Sequence, residues 1–376
     1  MKRLIGWAGL GAAALAAALL AGCAGGTPRP KPAELPTNID LIGVRQVWTA
    51  RLPAVNYPLQ VSVQGNQVAL ASGDGSVLTL DAASGRETGR ASVGAPLSAG
   101  VGGDGRLLAV LTRTNHVVAL EGSRELWRHR LATQSYTAPL VAGGRVFVLG
   151  ADRSLTALDG QSGAPLWHVQ RPAEPLVLRQ AGVLLPHGNT LLAGMAGRLV
   201  AVDPDNGNVR WEAPLASARG TNDVERLIDL VGGVGRQGGV VCARAFQAAV
   251  GCVDAASGNL RWTRAASGAT GVAADEQRVF GAESDGRVLA WRLDNGERAW
   301  ASDALQWRQL TGPLVLGRSV VFGDNAGLVH MLSREDGGPL NRLATDGSGI
   351  AATPVLAGNT LVVVTRNGGV YGFAPE

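Results

Sequence analysis

Charge is scarce in this 376-residue chain: Asp, Glu, Lys and Arg make up 17%, against 46% hydrophobic residues. A chain so apolar can bury enough surface to fold, which excludes an intrinsically disordered protein. It has no Lys/Arg run, and its formal net charge is only +4. The clustered cations that grip a phosphate backbone are therefore missing, and nucleic acid is excluded as a partner. The five His, at 116, 129, 168, 187 and 330, make no paired metal-ligand spacing. No Ser sits in a Gly-x-Ser-x-Gly elbow with plausible partners. Neither a metal site nor a catalytic constellation is expected, no cofactor is implied, and the chain does not read as an enzyme.

Phe and Tyr are also few, 5 and 3, but there are 9 Trp and 53 Gly. That Gly share is about twice the usual one. It has no strict triplet period, so collagen is excluded and a turn-rich all-β protein is expected. Two glycine strings, Gly100 to Gly105 and Gly233 to Gly238, match a dinucleotide fingerprint in letters. Each leads into a strand, whereas phosphate binding needs a helix N-terminus directly after the glycines. Asp203 to Gly207 looks like the start of a calcium loop but occupies a turn seen elsewhere in the chain, and the downstream Glu is absent.

The first residues carry an export signal. Lys2 and Arg3 precede an apolar stretch from Leu4 to Leu20, too short and too weakly flanked for a lasting transmembrane helix. The stretch ends in Leu20-Ala21-Gly22-Cys23, which resembles the lipobox of bacterial lipoproteins, where the Cys takes the lipid and becomes the new N-terminus. By the sorting rule of those lipoproteins, Ala24 implies delivery to the outer membrane. Residues 1–22 are read as the signal peptide, whose loss lowers the net charge to +2. Residues 23–43, with Pro28, Pro30, Pro32 and Pro36, are read as lipidated Cys and extended tether.

An internal repeat sets the architecture of residues 44–376. Gly-x-Val/Leu-x-x-Leu-Asp segments place their last position at Asp81, Glu121, Asp159, Asp203, Asp254, Arg292 and Ser333, with an eighth, degenerate copy ending at Phe373-Ala374. The steps run from 38 to 51 residues. A period near 40 built of short strands is the mark of propeller blades, because one four-stranded sheet buries both faces only when neighbours stack on it. The last copy stops before a fourth strand, and Gln46-Val47-Trp48-Thr49 supplies one. The expected fold is an eight-bladed β-propeller of four-stranded antiparallel blades, closed by N- and C-terminal strands sharing one blade.

Trp recurs eight residues after the Asp position at Trp167, Trp211, Trp262 and Trp300, and Trp127 follows a shortened turn. The first and seventh copies place Gly89 and Asn341 there. One framework position filled in many blades points to packing between blades. Cys242 and Cys252 are symmetric about Gln247, as residues facing across strands b and c would be, and are either a cross-strand disulfide or two buried thiols.

The repeat, Ala-Leu-Asp-x-x-Ser/Thr-Gly-x-x-x-Trp, resembles that of pyrroloquinoline-quinone dehydrogenases. With the lipobox and a lone ring, essentially the whole mature chain is similar to the BamB family, the propeller lipoproteins of the outer-membrane β-barrel assembly machine. The resemblance implies a non-enzymatic scaffold facing the periplasm that docks on the periplasmic domains of the barrel-forming subunit and aids insertion of β-barrel proteins. Whether it touches nascent outer-membrane proteins stays open. Quinone dehydrogenases carry long insertions, an adjacent Cys pair and calcium-binding Glu and Asn beside a catalytic Asp, none of which is placed here. The alternatives are a periplasmic binding propeller for peptides or glycans and, more remotely, a degenerate quinoprotein dehydrogenase.

In that family the docking loops carry a Leu-x-Leu-Arg stretch and an Arg-Leu-x-Asp-Val-Asp stretch. The first matches Leu176-Val177-Leu178-Arg179. The second matches Arg226-Leu227-Ile228-Asp229 and then departs, with Val231 in place of the second Asp. Both stretches fall between strand d of one blade and strand a of the next, on one face of the ring, where rigid scaffolds house binding loops. From the residues alone, Leu176 and Leu178 would begin strand a as core. The resemblance makes Leu176, Leu178, Arg179 and Asp229 one partner-facing patch.

Overall fold

The computed structural model describes residues 30–57, 59–171, 176–217, 222 and 227–376. The expected signal segment, Cys23 and Arg226 lie outside them. Ala33–Glu376 forms one compact unit, separate from Met1–Pro32. Among the described residues there is no helix, and the strands form eight four-stranded antiparallel sheets. The fold is an eight-bladed β-propeller.

Blade 1 takes Ser62–Gln64, Gln67–Ala71, Ser76–Asp81 and Glu87–Ser92, strands a to d from the centre outwards. Blades 2 to 7 repeat this order along the chain. Blade 8 has the order Val44–Arg51, Gly369–Pro375, Thr360–Val364, Val355–Ala357, so its outermost strand comes from the start of the chain. Trp48 lies opposite Gly372 in that pairing. The two ends of the chain are thereby hydrogen-bonded to one another, and the ring has no open seam.

Inner and outer strands read differently because they are covered differently. In blade 3, strands b and c, Arg145–Leu149 and Ser154–Asp159, are buried on both faces by neighbouring blades. Their sequences are accordingly near-continuous apolar runs. Strand d, Pro165–Gln170, is largely exposed at the rim and alternates. At the centre, glycines let neighbouring chain segments converge: a Cβ on Gly102 would overlap the Pro139 carbonyl oxygen. The two glycine strings thus serve close approach and hairpin turns.

Each rim Trp closes onto the next blade. In blade 1 the c–d turn folds Asp81 to Gly85, with Gly85 N–H donating to the Asp81 carbonyl at 2.8 Å and Gly85 at φ 68°. The Asp81 carboxylate accepts the Ser84 hydroxyl and N–H, and these bonds hold it below the usual carboxylate range. Asp159 with Ser162 and Asp254 with Ser257 repeat the arrangement. The bare face of the turn glycine then receives the indole of the preceding blade. The pairs are Trp48 on Gly85, Trp127 on Gly163, Trp167 on Gly207, Trp211 on Gly258, Trp262 on Gly296 and Trp300 on Gly337, and a Cβ on any of these glycines would lie 2.5–2.8 Å from the ring. Trp48, Trp127, Trp167, Trp262 and Trp300 also donate Nε1–H to a carbonyl of the receiving turn, at 2.8–2.9 Å.

The two copies without Trp face blades without that turn. Blade 2, next to Gly89, joins strands His116–Glu121 and Arg124–Arg130 by the two-residue link Gly122-Ser123. Blade 8, next to Asn341, has no c–d hairpin at all, since its strand d arrives from residue 44. Asn341 instead donates Nδ2–H to Asp40 Oδ1 at 2.6 Å and the Ile42 carbonyl at 2.7 Å. The stretch expected to be tether up to residue 43 is therefore, from Ala33 on, laid against blade 7. Ala33 N–H donates to Gln306 O, Leu41 N–H to Leu340 O, and Arg308 and Arg342 donate to the carbonyls of Ala33 and Pro36. Leu35 packs onto the apolar cluster between blades 6 and 7.

Cys242 and Cys252 lie opposite each other on strands b and c of blade 5 and are joined as a disulfide, fully buried.

Candidate functional site

Antiparallel strands alternate direction, so the b–c turns and the d–a connections emerge on one face of the ring and the a–b and c–d turns on the other. Leu176 to Arg179 lies in the d–a connection between Pro165–Gln170 and strand a of blade 4, Leu184–His187. Leu176 and Leu178 thus precede strand a rather than begin it. Asp229 directly precedes strand a of blade 5, Leu230–Gln237. The two stretches expected to dock share one face, and the structure joins them.

The joint is a carboxylate. Asp229 Oδ2 accepts the Leu178 N–H at 3.0 Å, across 51 residues of sequence. Its other oxygen, Oδ1, lies 3.4 Å from Nη2 of Arg153. The Asp229 carbonyl accepts the Phe246 N–H at 2.9 Å, which fixes the backbone behind the carboxylate. Ile228 beside it is buried between blades 4 and 5.

The four residues therefore do not present themselves alike. Leu176 is exposed, at 39%, and Arg179 is exposed with its guanidinium 5.7 Å above the Tyr136 ring, a cation–π contact. Leu178 is half-buried. The Asp229 side chain is only 18% exposed and is committed to internal partners. A cavity of about 50 Å³ opens among Tyr136, Arg153, Leu178, Asp229 and Leu230. A larger, polar one of about 290 Å³ adjoins it across Tyr136, lined by Asn56, Tyr57, Arg113, Gln134 and Arg179.

Arg153 and Tyr136 were not singled out from the sequence, yet Arg153 left a signal there. It occupies the b–c turn of blade 3, where blades 1, 6, 7 and 8 place Gly75, Gly286, Gly327 and Gly368 and blade 2 places Asn115, all with positive φ. Arg153 adopts the same left-handed conformation, φ 61°. For a residue with a Cβ this costs about 1–2 kcal/mol. Asp152-Arg153-Ser154 against Asp74-Gly75-Ser76 in the aligned repeat is the legible anomaly. Its side chain is 4% exposed, and among the described residues its Nε and Nη1 have no hydrogen-bond partner.

A second buried polar cluster on this face lies under blade 7. Asp324 accepts from Arg308 at 2.8 Å and pairs with His330 Nε2 at 2.9 Å. Burial pushes Asp324 up, but the hydrogen bonds from His330, the Leu328 N–H and Arg308, with the charge of His330, outweigh it and hold the carboxyl at about 2. Burial holds His330 below its usual value against the pull of Asp324. Among the described residues no group of three or more His, Cys, Asp and Glu side chains is placed to hold a metal ion.

With this geometry in hand, the likeness to known proteins is informative. The sequence model of the family described as "Outer membrane protein assembly factor BamB" matches residues 73–302. The chain belongs to the BamB family. A BamB of Burkholderia pseudomallei is 39% identical over 93% of this chain and 92% of its own length. A BamB of Bordetella pertussis is 36% identical over 90% of this chain and 89% of its own. Among solved structures, BamB from Moraxella catarrhalis superposes with a TM-score of 0.81 at 24% identity, covering 88% of this chain and 99% of that one. A quinohemoprotein alcohol dehydrogenase of Pseudomonas putida HK5 reaches 0.70 at 13% identity, covering 90% and 77%. Those two likenesses concern the fold alone. Membership of the BamB family rests on the sequence matches.

Proposed function

We propose that this chain is a non-enzymatic scaffold subunit of the outer-membrane protein assembly machinery, anchored in the outer membrane through a lipid on Cys23 and facing the periplasm. It docks through the d–a face of blades 3 to 5 onto the periplasmic domains of the barrel-forming subunit and so aids insertion of β-barrel proteins. The observation that carries the reading is the loop at Leu176 to Arg179. Exposed Leu and Arg side chains stand on a connection that is tied, through the Leu178 N–H and Asp229, to a rigid ring. Leu contributes apolar area, and Arg contributes a planar donor for a carboxylate or backbone carbonyls.

Copurification in mild detergent tests it. Wild-type protein is expected to retain the barrel-forming subunit, and the Leu178→Ala/Arg179→Ala double variant to lose it with an unchanged melting transition. Arg179→Ala alone is expected to weaken docking by about 2 kcal/mol. A stably folded double variant that copurifies like wild type defeats the docking surface. Cys23→Ala is expected to release the protein from the membrane fraction, since no other anchor is read in the sequence.

A further inference from the structure

The docking loop's backbone is held by a carboxylate that is itself held by a strained, buried arginine. Arg153 keeps a left-handed backbone at a turn position that blades 1, 6, 7 and 8 give to glycine. It buries a guanidinium whose Nε and Nη1 have no partner among the described residues, and directs Nη2 to Asp229. A cost borne in both backbone and side chain persists only where the surroundings or a function demand it. The turn itself does not demand it, because glycine builds the same turn at four equivalent places. What Arg153 does supply is the positive charge beside Asp229, whose other oxygen receives the Leu178 N–H. Leu178 is thereby fixed between the exposed Leu176 and Arg179.

From this we infer that Arg153 and Asp229 are positioning residues: an ion pair within the ring that sets the backbone of Leu176 to Arg179 for the partner, with Asp229 acting through the Leu178 N–H rather than by touching the partner. The inference rests on the docking reading above and deepens it. The pair works as a unit, since among the described residues the guanidinium of Arg153 hydrogen-bonds to Asp229, which in turn holds the Leu178 N–H. Partner contact falls to Leu176, Leu178 and Arg179, while the small cavity above Arg153 stays within the ring's own packing.

The test separates positioning from folding because the two make opposite demands on residue 153. Full-length protein in detergent micelles is titrated with purified periplasmic domains of the barrel-forming subunit, and its thermal unfolding and Leu178 amide exchange are followed. Arg153→Gly is expected to melt no lower than wild type, since glycine suits the left-handed turn and no unpartnered guanidinium remains. Its binding is expected to be about tenfold weaker, with the Leu178 amide exchanging faster. Asp229→Ala is expected to weaken binding at least as much, and the double variant no more than the worse single one. Arg153→Lys keeps the charge and is expected to recover part of the affinity. Arg153→Gly binding within about twofold of wild type, or an unchanged Leu178 amide in a folded Asp229→Ala variant, overturns the inference. Should Arg153→Gly melt lower, the Lys variant and the amide exchange decide it alone. Failure of wild-type protein to bind the periplasmic domains defeats the docking reading itself, whatever the amide exchange shows.

Discussion

Two junctions of the same ring are closed by opposite chemistry. Between blades 5 and 6, Trp262 lies on the bare face of Gly296 and donates to the Leu293 carbonyl. Between blades 7 and 8 the interior is likewise apolar, but the equivalent rim residue is Asn341, and the rim is closed by amide and guanidinium hydrogen bonds to the strap formed by residues 33–43. The difference follows from the partner surface. An indole is retained where the next blade offers a left-handed glycine to receive it, and lost where the receiving turn is shortened or supplied by another part of the chain. One lock is apolar and indifferent to pH, whereas the other side of the ring depends on polar groups, one set of which titrates.

Substitutions break this contrast in order of size. Trp48→Ala removes the indole of the closing blade, where its ring packs over Gly372 and Gly85, and is expected to cost about 3–5 kcal/mol. Denaturant unfolding of the mature protein measures it, and a loss below 1 kcal/mol, on the same scale, would mean that strand pairing alone shuts the ring. Gly296→Ala sets a Cβ against Trp262 at positive φ and is expected to cost about 2–3 kcal/mol. Gly122→Ala is the control, since it also has positive φ but nothing within 4 Å of the added Cβ. It is expected to cost only about 1 kcal/mol, from the backbone alone.

The polar side of the ring is sharpened by pH. His330 and Asp324 both bind protons more readily in the unfolded chain than in the folded one. Stability is therefore fullest above about pH 6.5 and starts to fall as the pH drops through that value, where the unfolded His takes a proton that the buried ring resists. The Asp324 contribution, on the order of 2 kcal/mol, is complete above about pH 4 and disappears towards pH 2. Unfolding free energies across this range should show both losses. Asp324→Asn should flatten the lower one, and an unflattened profile would assign the acid loss elsewhere. A small effect is also expected from Asn341→Ala, which strips Asp40 and the Ile42 carbonyl of a donor and should cost about 1–2 kcal/mol. Faster proteolysis near residues 33–43 would be its local signature.

Most of the ring was legible because its information repeats. A Trp or Gly recurring near every fortieth residue reports a framework position several times over, so a blade with one weak copy is still found. Even the lost Trp positions, Gly89 and Asn341, were visible as departures from that frame. The proposed docking face was half legible. Spacing puts Leu176, Leu178 and Arg179 between strand d of one blade and strand a of the next. Read from the residues alone, the two leucines would begin strand a, and only the family resemblance moves them into the loop. Asp229 reads from sequence as one more partner-facing residue, whereas its carboxylate is used internally, because its partners, Leu178 and Arg153, lie 51 and 76 residues away.

Sequence by itself determined the all-β class, the eight blades, the shared closing blade and the rim tryptophans, since each follows from periodicity or from residue types tied to local backbone geometry. Only the tertiary structure decided which Trp meets which glycine, that residues 33–43 lie along blade 7, and that Arg153, Asp229 and Leu178 form one connected group. Those contacts occur singly, between residues far apart in the chain, and a contact made once leaves no period to read.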